Sequence, residues 1–146
     1  MSIKIKSFRG RYFFLSNFFI CPIMYEGISY TSAKSAFQAT KCEDIERRQE
    51  FSNLDPSKAK RKGNSVRLRN DWEKIKIGIM YEIVKEKFIQ NSGLLKALLE
   101  TEDAYLEEGN TWGDDEWGTV NGKGKNKLGK ILMKVRKELE EDAGKK

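Results

Sequence analysis

Residues 71–93 read DWEKIKIGIMYEIVKEKFIQNSG, and their apolar spacing predicts the longest helix of the chain. Apolar residues recur there every three or four positions and form two adjacent stripes. One stripe is Trp72, Ile75, Ile79 and Ile83, and the other is Met80, Val84 and Phe88. So wide an apolar surface is typical of a helix that is largely buried. Asn70 or Asp71 can begin this helix, and Gly93 follows its end.

Shorter helices are predicted on both sides of this segment. They cover about 33–42 with Thr31 or Ser32 as the cap, 44–51, a stretch beginning at Asp55-Pro56, 94–100, and about 127–140. Residues 3–8 alternate as an edge strand does, and residues 14–32 suggest loops around short strands. We therefore expect a mainly α (α+β) fold. A single domain should span residues 1–146, with about 141–146 as a frayed polar tail.

Composition narrows the class of protein. The chain has 146 residues, enough for one domain that buries roughly two-thirds of its unfolded surface. No apolar run approaches the ~20 residues that a membrane span needs, and the basic N-terminus does not resemble a signal peptide. We therefore expect a cytoplasmic protein. Cys21 and Cys42 lack metal-ligand spacing and histidine is absent, so two buried free thiols and no metal or cofactor are expected.

The net charge of +6 indicates an anionic partner, either nucleic acid or a phosphorylated small molecule. Six cationic side chains lie in residues 58–69, and four more lie in 123–130. Such runs form either a solvated face or a phosphate-binding surface, and the sequence leaves both open.

An irregular segment, 107–118 (EEGNTWGDDEWG), combines two tryptophans with five carboxylates; we call it the acidic loop. Its tryptophans either fill the core beneath a long connection or form a pocket wall that stacks on a base. In such a wall Asp114 and Glu108 can act as general acid or base, since a nearby apolar ring raises a carboxyl pKa. The loop lacks the Asp-x-Asp-x-Asp-Gly pattern of a calcium site.

Two further features can be interpreted either as part of a functional site or as ordinary surface structure. Residues 122–126 (GKGKN) precede the last helix, so they are either a flexible turn or an anion site at a helix N-terminus. Lys34 shares a helix face with Phe37 and Lys41. It is either a surface residue with a buried stem or, if it points into a pocket, an amine that can act as a nucleophile.

Five motifs, in order along nearly the whole chain, resemble those of the NADAR family. They are FLSNF at 14–18 followed by PI at 22–23, the segment 32–41 (SAKSAFQATK), RLRNDW at 67–72 with Met80 and Lys87-Phe88, the acidic loop, and GKNKLGKILMKVR at 124–136.

The resemblance implies a compact NADAR-like domain with N-glycosidase activity. One branch of the family hydrolyses phosphoribosylamino intermediates of riboflavin synthesis. Another removes ADP-ribose from the amino group of guanine in DNA, as antitoxin to a DNA ADP-ribosyltransferase. A non-catalytic ADP-ribose-binding module is a third alternative. A basic chain, tryptophans and clustered acids suit a phosphorylated nucleoside substrate whose glycosidic bond is cleaved.

Two adjacent residues depart from the family pattern. Lys34 stands where the riboflavin branch has Glu in Ser-x-Glu-x-x-Phe-Gln-Ala-x-Lys, and Ser35 stands where His often follows. A lysine cannot replace a carboxylic acid as proton donor, but its neutral amine can form a Schiff base with the sugar. The resemblance implies that guanine-directed members carry such a lysine, so the substitution favours that branch.

On this basis Lys34 is the predicted nucleophile, and Asp114 and Glu108 are the predicted proton-transfer groups, in one cleft with the tryptophans. Predicted substrate-binding residues are Ser16, Asn17, Phe18, Trp72, Trp117, Gly118 and Asn126, with Arg9, Arg67, Arg69, Lys123 and Lys125 for pyrophosphate or DNA backbone. The predicted partners are ADP-ribosylated guanine in nucleic acid and a cognate ADP-ribosyltransferase toxin, with no membrane.

Overall fold

The computed structural model describes residues 3–144, in which helices predominate over a few short strands. The elements are β1 (Lys4–Ile5), a 3₁₀ helix (Gly10–Leu15), β2 (Ile20–Tyr25), β3 (Ile28–Ser32), α1 (Ala33–Ala39), α2 (Ile45–Gln49), α3 (Pro56–Ser65), α4 (Trp72–Gln90), α5 (Ser92–Leu99), β4 (Tyr105–Leu106) and α6 (Lys127–Gly144). The predicted mainly α (α+β) fold is confirmed. None of the helices described is long and apolar enough to cross a membrane.

The described chain divides into two compact units, one of residues 3–16 and 93–144 and the other of Asn17–Ser92. That the 146 residues form a single domain remains a prediction.

In the unit of Asn17–Ser92, β2 and β3 form an antiparallel hairpin. Glu26 and Gly27 both have positive φ, as a two-residue type I′ turn requires. Alternate residues of each strand are buried, because successive side chains of a strand point to opposite faces. Gln90 covers the outer edge of β2: its side chain accepts a bond from the Met24 N–H (2.7 Å) and donates one to the Met24 carbonyl (2.8 Å).

Three of the helices in this unit begin where a short polar side chain can cap them. Ser32, Asp44 and Asp55 each accept a hydrogen bond from a backbone N–H in the first turn that follows. Asp71 precedes α4 but does not cap it, because its carboxylate binds the Arg69 guanidinium (2.7 Å). Ser32 is thus confirmed as the cap of α1, and Asp55-Pro56 as the start of α3.

The expectation that α4 is largely buried was wrong, because the helix buries one face only. Met80, Ile83, Val84 and Phe88 are buried, whereas Ile75 and Ile79 of the first stripe are half-buried. Ile77 is 42% exposed, so much of the apolar surface of α4 faces solvent in this chain.

In the other unit, β1 pairs in parallel with β4, with Ile5 opposite Leu106. Of the strand predicted over residues 3–8, only Lys4 and Ile5 are in β conformation. The helix α6 packs its apolar stripe against β4 and extends to Gly144. Residues 141–144 are therefore helical rather than frayed, and residues 145–146 lie outside the described residues.

Helix α4 also buries a lysine that periodicity does not single out as a core residue. Lys87 is 1% exposed, and its Nζ lies 5.8 Å from the ring centroid of Phe19 and 5.3 Å from that of Phe88. Burial lowers its pKa to about 8, against a partly compensating attraction to Cys21. Cys21 and Cys42 are both buried free thiols, as predicted, and burial raises the pKa of each.

The pKa of Lys87 predicts how stability depends on pH. Its folded-state pKa is below its unfolded value of 10.5, so between about pH 8 and 10.5 the unfolded chain binds more protons than the native one. This group therefore makes the free energy of unfolding rise across that interval, by about 3 kcal/mol in all. In Lys87→Met the rise should be absent.

Denaturant unfolding of the wild type and of Lys87→Met from pH 7 to 10.5 measures the effect. The quantity to compare is the difference between their free energies of unfolding at each pH. That subtraction removes the opposing titrations of Tyr25 and Tyr30, whose pKa values are raised mainly by burial. Parallel curves would show that Lys87 does not titrate in this range.

Candidate functional site

Lys34 is the one residue of α1 that is not buried. The Ser32 cap fixes the first turn, and the Lys34 N–H donates to the Asn17 carbonyl at 2.9 Å. Its Nζ lies 5.7 Å from the ring centroid of Phe18. The side chain is half-buried, so it lies neither in the core nor fully in solvent.

Two predicted binding residues, Asn17 and Phe18, therefore lie next to Lys34. Asn17 is also tied to α4, since its side-chain amide donates to the sulfur of Met80 at 3.4 Å. Asn17 and Phe18 are both half-buried. The FLSNF motif thus supplies an aromatic face and an amide beside the amine.

Trp72 lies beneath this group rather than at its surface. It is 5% exposed and its ring packs on Phe37, with centroids 5.0 Å apart. The predicted stacking of a nucleoside on Trp72 has no open ring face here. Lys41, which was predicted to share a helix face with Lys34, lies beyond the end of α1; it is half-buried and donates to the Gly63 carbonyl of α3 at 3.4 Å. Burial lowers its pKa.

The predicted phosphate ligands differ in how far they are engaged. Arg67 and Arg9 are exposed. Arg69 is half-buried and bound to Asp71, and the hydrogen bond to that carboxylate raises its pKa. Ser16 is half-buried at the end of the 3₁₀ helix, where its N–H donates to the Phe13 carbonyl at 2.9 Å.

In the unit of residues 3–16 and 93–144, Asn110 holds the acidic loop in shape. This side chain, 6% exposed, donates to the Glu108 carboxylate (2.9 Å) and the Asp114 carbonyl (2.8 Å), and accepts from the Asp114 N–H (3.1 Å). Asp114 in turn accepts from the N–H groups of Glu116 and Trp117 through Oδ1. The two predicted proton-transfer residues, Glu108 and Asp114, are therefore linked through one amide.

Asn126 and Gly118 are buried residues that pack or bond against residues of the acidic loop. Asn126 is 2% exposed, accepts from the Glu108 N–H (2.9 Å) and donates to the Leu106 carbonyl (2.9 Å). A substrate contact by its side chain would have to displace these bonds. Gly118 is buried, and a Cβ there would lie 1.8 Å from Glu108 Oε2 and 2.8 Å from Asn110 Nδ2. Glycine is needed because no side chain fits.

The tryptophans of the acidic loop do not fill a core. Trp112 is 58% exposed and Trp117 is half-buried. Lys127 lies 6.0 Å from the Trp117 ring centroid and pairs with Glu116 at 2.7 Å. Trp117 is therefore the partly open aromatic face near Asp114.

The start of α6 does not form the anion site that residues 122–126 allow. The N–H groups of Asn126, Lys127 and Leu128 donate to the carbonyls of Gly118, Glu116 and Trp117, respectively. The acidic loop thus satisfies these donors itself, and Lys123 and Lys125 extend from an exposed turn.

Sequence reasoning missed Asn110, as well as Glu107, a buried carboxylate that binds Lys4 (3.1 Å) and the Thr119 hydroxyl. The signal that could have identified Asn110 is an amide side chain next to a glycine in an irregular segment, where backbone groups need side-chain partners. Across residues 3–144, no group of three or more His, Cys, Asp or Glu residues is placed to hold a metal ion.

Comparison with known proteins gives consistent matches. The family model "NADAR domain" matches residues 6–140. A riboflavin biosynthesis protein of Vibrio vulnificus is 38% identical over 134 residues, which are 89% of this chain and 36% of that protein, so the chain spans about a third of that relative. The N-glycosidase YbiA of Shigella boydii is 39% identical over 128 residues, covering 85% of this chain and 79% of that protein. The NMR structure of Escherichia coli YbiA matches with a TM-score of 0.85 at 35% identity, over 98% of this chain and 89% of that one.

The close fit at Gly118 predicts the effect of one methyl group. Gly118→Ala should lower the free energy of unfolding by about 1–3 kcal/mol, because Glu108 and Asn110 must move aside. Gly78→Ala is the matched control: it lies within α4, its Cβ would meet nothing within 4 Å, and it should stabilise by about 0.5–1 kcal/mol. Urea unfolding of both variants tests this. Equal changes in the free energy of unfolding would mean that the acidic loop accommodates the methyl group without loss of stability.

Proposed function

This chain belongs to the NADAR family, and on that premise we propose that it is an N-glycosidase that removes ADP-ribose from the amino group of guanine bases in DNA. The observation that carries the proposal is the identity and position of Lys34. The family's riboflavin-branch pattern has a carboxylic acid there, and this chain has an amine held on the first turn of α1 beside Phe18 and Asn17.

The chemistry begins with the bond that must break. The linkage joins the sugar C1 to the exocyclic nitrogen of guanine, and opening of the ribose ring converts it to an imine at C1. The neutral Lys34 amine adds to C1 and gives a carbon that bears two nitrogens. Transfer of a proton to the guanine nitrogen then expels guanine with its amino group restored. What remains is a Schiff base between Lys34 and the sugar.

Water completes the cycle. It adds to C1 of the Schiff base, and loss of the lysine amine yields the open-chain aldehyde of ADP-ribose, which closes to the ring. The net reaction consumes one water and releases guanine in DNA and ADP-ribose. Asp114 and Glu108 are the proposed proton-transfer groups, for the ring oxygen and the leaving nitrogen. The Asn110 amide donates to the Glu108 carboxylate and to the backbone carbonyl of Asp114, so one side chain contacts both residues.

The protein environment supports the binding half of the proposal. Trp117, half-buried beside Asp114, offers a ring face for the nucleoside. Trp72 contributes indirectly, because its ring packs against Phe37 of α1, the helix that carries Lys34. The net charge of +6 favours a substrate carrying a pyrophosphate on a polyanion. A cell that makes such a lesion needs a DNA ADP-ribosyltransferase, so we propose that enzyme as the functional partner and this chain as its antitoxin.

Removal of the nucleophile tests the mechanism. Lys34→Ala should lower the release of ADP-ribose from ADP-ribosylated oligonucleotide by a factor on the order of 10³ or more, because the proposed covalent intermediate forms on the Lys34 amine. Lys137→Ala, an exposed lysine of α6, is the control and should keep wild-type turnover. Circular dichroism confirms that each variant is folded.

Borohydride provides a second measurement on the same variants. Reduction during turnover should fix the sugar on Lys34 of the wild type, and peptide mass spectrometry should find the adduct at that residue. Near-wild-type turnover by Lys34→Ala, or no adduct in active wild type, would contradict the Schiff-base mechanism.

A riboflavin-type N-glycosidase is the second candidate, since one relative carries the name riboflavin biosynthesis protein. The two candidates differ in what residue 34 must do. With both substrates offered, the wild type should prefer ADP-ribosyl-guanine, and Lys34→Glu should shift the ratio of kcat/KM toward the ribosylaminopyrimidine phosphate by about tenfold or more, because a carboxylic acid can protonate the leaving amine. A wild-type preference for the pyrimidine would favour the second candidate. Tight binding of ADP-ribose without any turnover would indicate a non-catalytic reader.

A further inference from the structure

A cavity of about 460 Å³ opens in the unit of residues 3–16 and 93–144, apart from the residues assigned to the chemistry above. One wall is the N-terminal segment that carries Lys4, Lys6 and Arg9. The opposite wall includes Asn110 and the turn that contains Asn121. Cations outnumber carboxylates three to one among its lining residues.

The sequence builds this cavity from an extended segment and one close approach between two backbone segments. Strand alternation buries Ile5 and leaves Lys4 and Lys6 exposed on the other side. Gly109 donates its N–H to the Lys6 carbonyl at 3.1 Å, and a Cβ on Gly109 would lie 2.3 Å from that oxygen. A side chain at position 109 would therefore push the two walls apart.

The far rim is a tight turn. Val120 and Lys123 exchange two backbone hydrogen bonds of 2.9 and 3.1 Å. Asn121 and Gly122 between them both have positive φ, at 53° and 78°, as a type I′ turn requires. Asn121 of this turn lines the cavity.

The charges of the cavity favour an anion. Its carboxylate, Glu107, already accepts hydrogen bonds from the Thr119 hydroxyl and from Lys4, and these bonds lower its pKa, so it stays ionised and Lys4 is neutralised. Within residues 3–144, Lys6 and Arg9 make no ion pair, although the Lys6 charge also helps to lower the pKa of Glu107. Two such cations with amide and hydroxyl donors around them are the groups that bind phosphoryl oxygens.

The cavity also adjoins the acidic loop. Asn110 lines it, and the same side chain binds Glu108 and the Asp114 carbonyl. An anion held there lies next to the residue that positions both proposed proton-transfer groups.

We propose that this cavity is a phosphate-binding subsite of the enzyme, with Lys6 and Arg9 as its principal ligands and Asn121 as a supporting donor; the assignment to a step in catalysis rests on the proposed function. A phosphoryl group is available from two parts of the substrate, the pyrophosphate of ADP-ribose and the DNA backbone beside the modified base. The two share the chemistry that the cavity recognises.

The first arm of the test does not depend on activity. Inorganic pyrophosphate is titrated into ¹⁵N-labelled protein, with shifts followed at the amides of Lys6, Gly109, Asn121 and Gly122. The wild type should show saturable shifts at these positions. Lys6→Ala and Arg9→Ala should each weaken binding by about fivefold or more, while Lys6→Arg should retain it and Lys137→Ala should match wild type. Absence of saturable shifts at the cavity would overturn the proposal.

The second arm identifies the source of the phosphate. Each variant is assayed on an ADP-ribosylated oligonucleotide and on ADP-ribosyl-guanosine, which lacks backbone phosphates. A rise in KM on both substrates with kcat unchanged supports the pyrophosphate, and a rise on the oligonucleotide alone supports the backbone. No change in KM on either substrate overturns the subsite. If the wild type hydrolyses neither substrate, the proposed function fails, and the pyrophosphate titration still decides whether the cavity binds phosphate.

Discussion

Close packing of the short helix α1 is the constraint on which the unit of Asn17–Ser92 depends. Ala33, Ala36 and Ala39 are fully buried, and small side chains let β2, β3, α3 and α4 approach the same seven-residue helix. Gly63 on α3 is part of this fit, since a Cβ there would lie 1.8 Å from Gln38 Oε1. Because the other side chains of α1 are packed against neighbouring elements, the Lys34 side chain can extend only from the side of the helix that is left uncovered.

The acidic loop is held by a different means. It has no regular secondary structure to satisfy its backbone, so buried amides do this instead. Asn110 and Asn126 between them bond backbone and carboxylate groups from Leu106 to Asp114, and the loop's own carbonyls satisfy the first N–H groups of α6. Carboxylates fixed in this way are preorganised, which is what the proposed proton-transfer role of Asp114 and Glu108 requires.

Exchanging a carboxylic acid for an amine changes the mechanism that a glycosidase can use. An acid works by protonating the leaving group, whereas a neutral amine works by bonding to the sugar carbon. Lys34 is half-buried, and its Nζ lies 5.7 Å from the ring centroid of Phe18. The departure from the family motif at residue 34 is the basis of the proposed covalent chemistry, and the cationic cavity at Lys6 and Arg9 is the proposed phosphate subsite.

The sequence by itself determined the helix-rich fold, the start of α3 at Asp55-Pro56 and the family, because these depend on local spacing and on motifs read in order. It narrowed the cap of α1 to Thr31 or Ser32, and the structure selects Ser32. It also indicated which loop carries the acids. Only the tertiary structure decided that Trp72 is interior, that one face of α4 is solvated, and that Lys87 is buried. Periodicity identifies an apolar face but not what covers it. The cavity at Lys6 and Arg9 likewise joins residues that are far apart in the chain, since Gly109 bonds to Lys6, and no local pattern encodes such a juxtaposition.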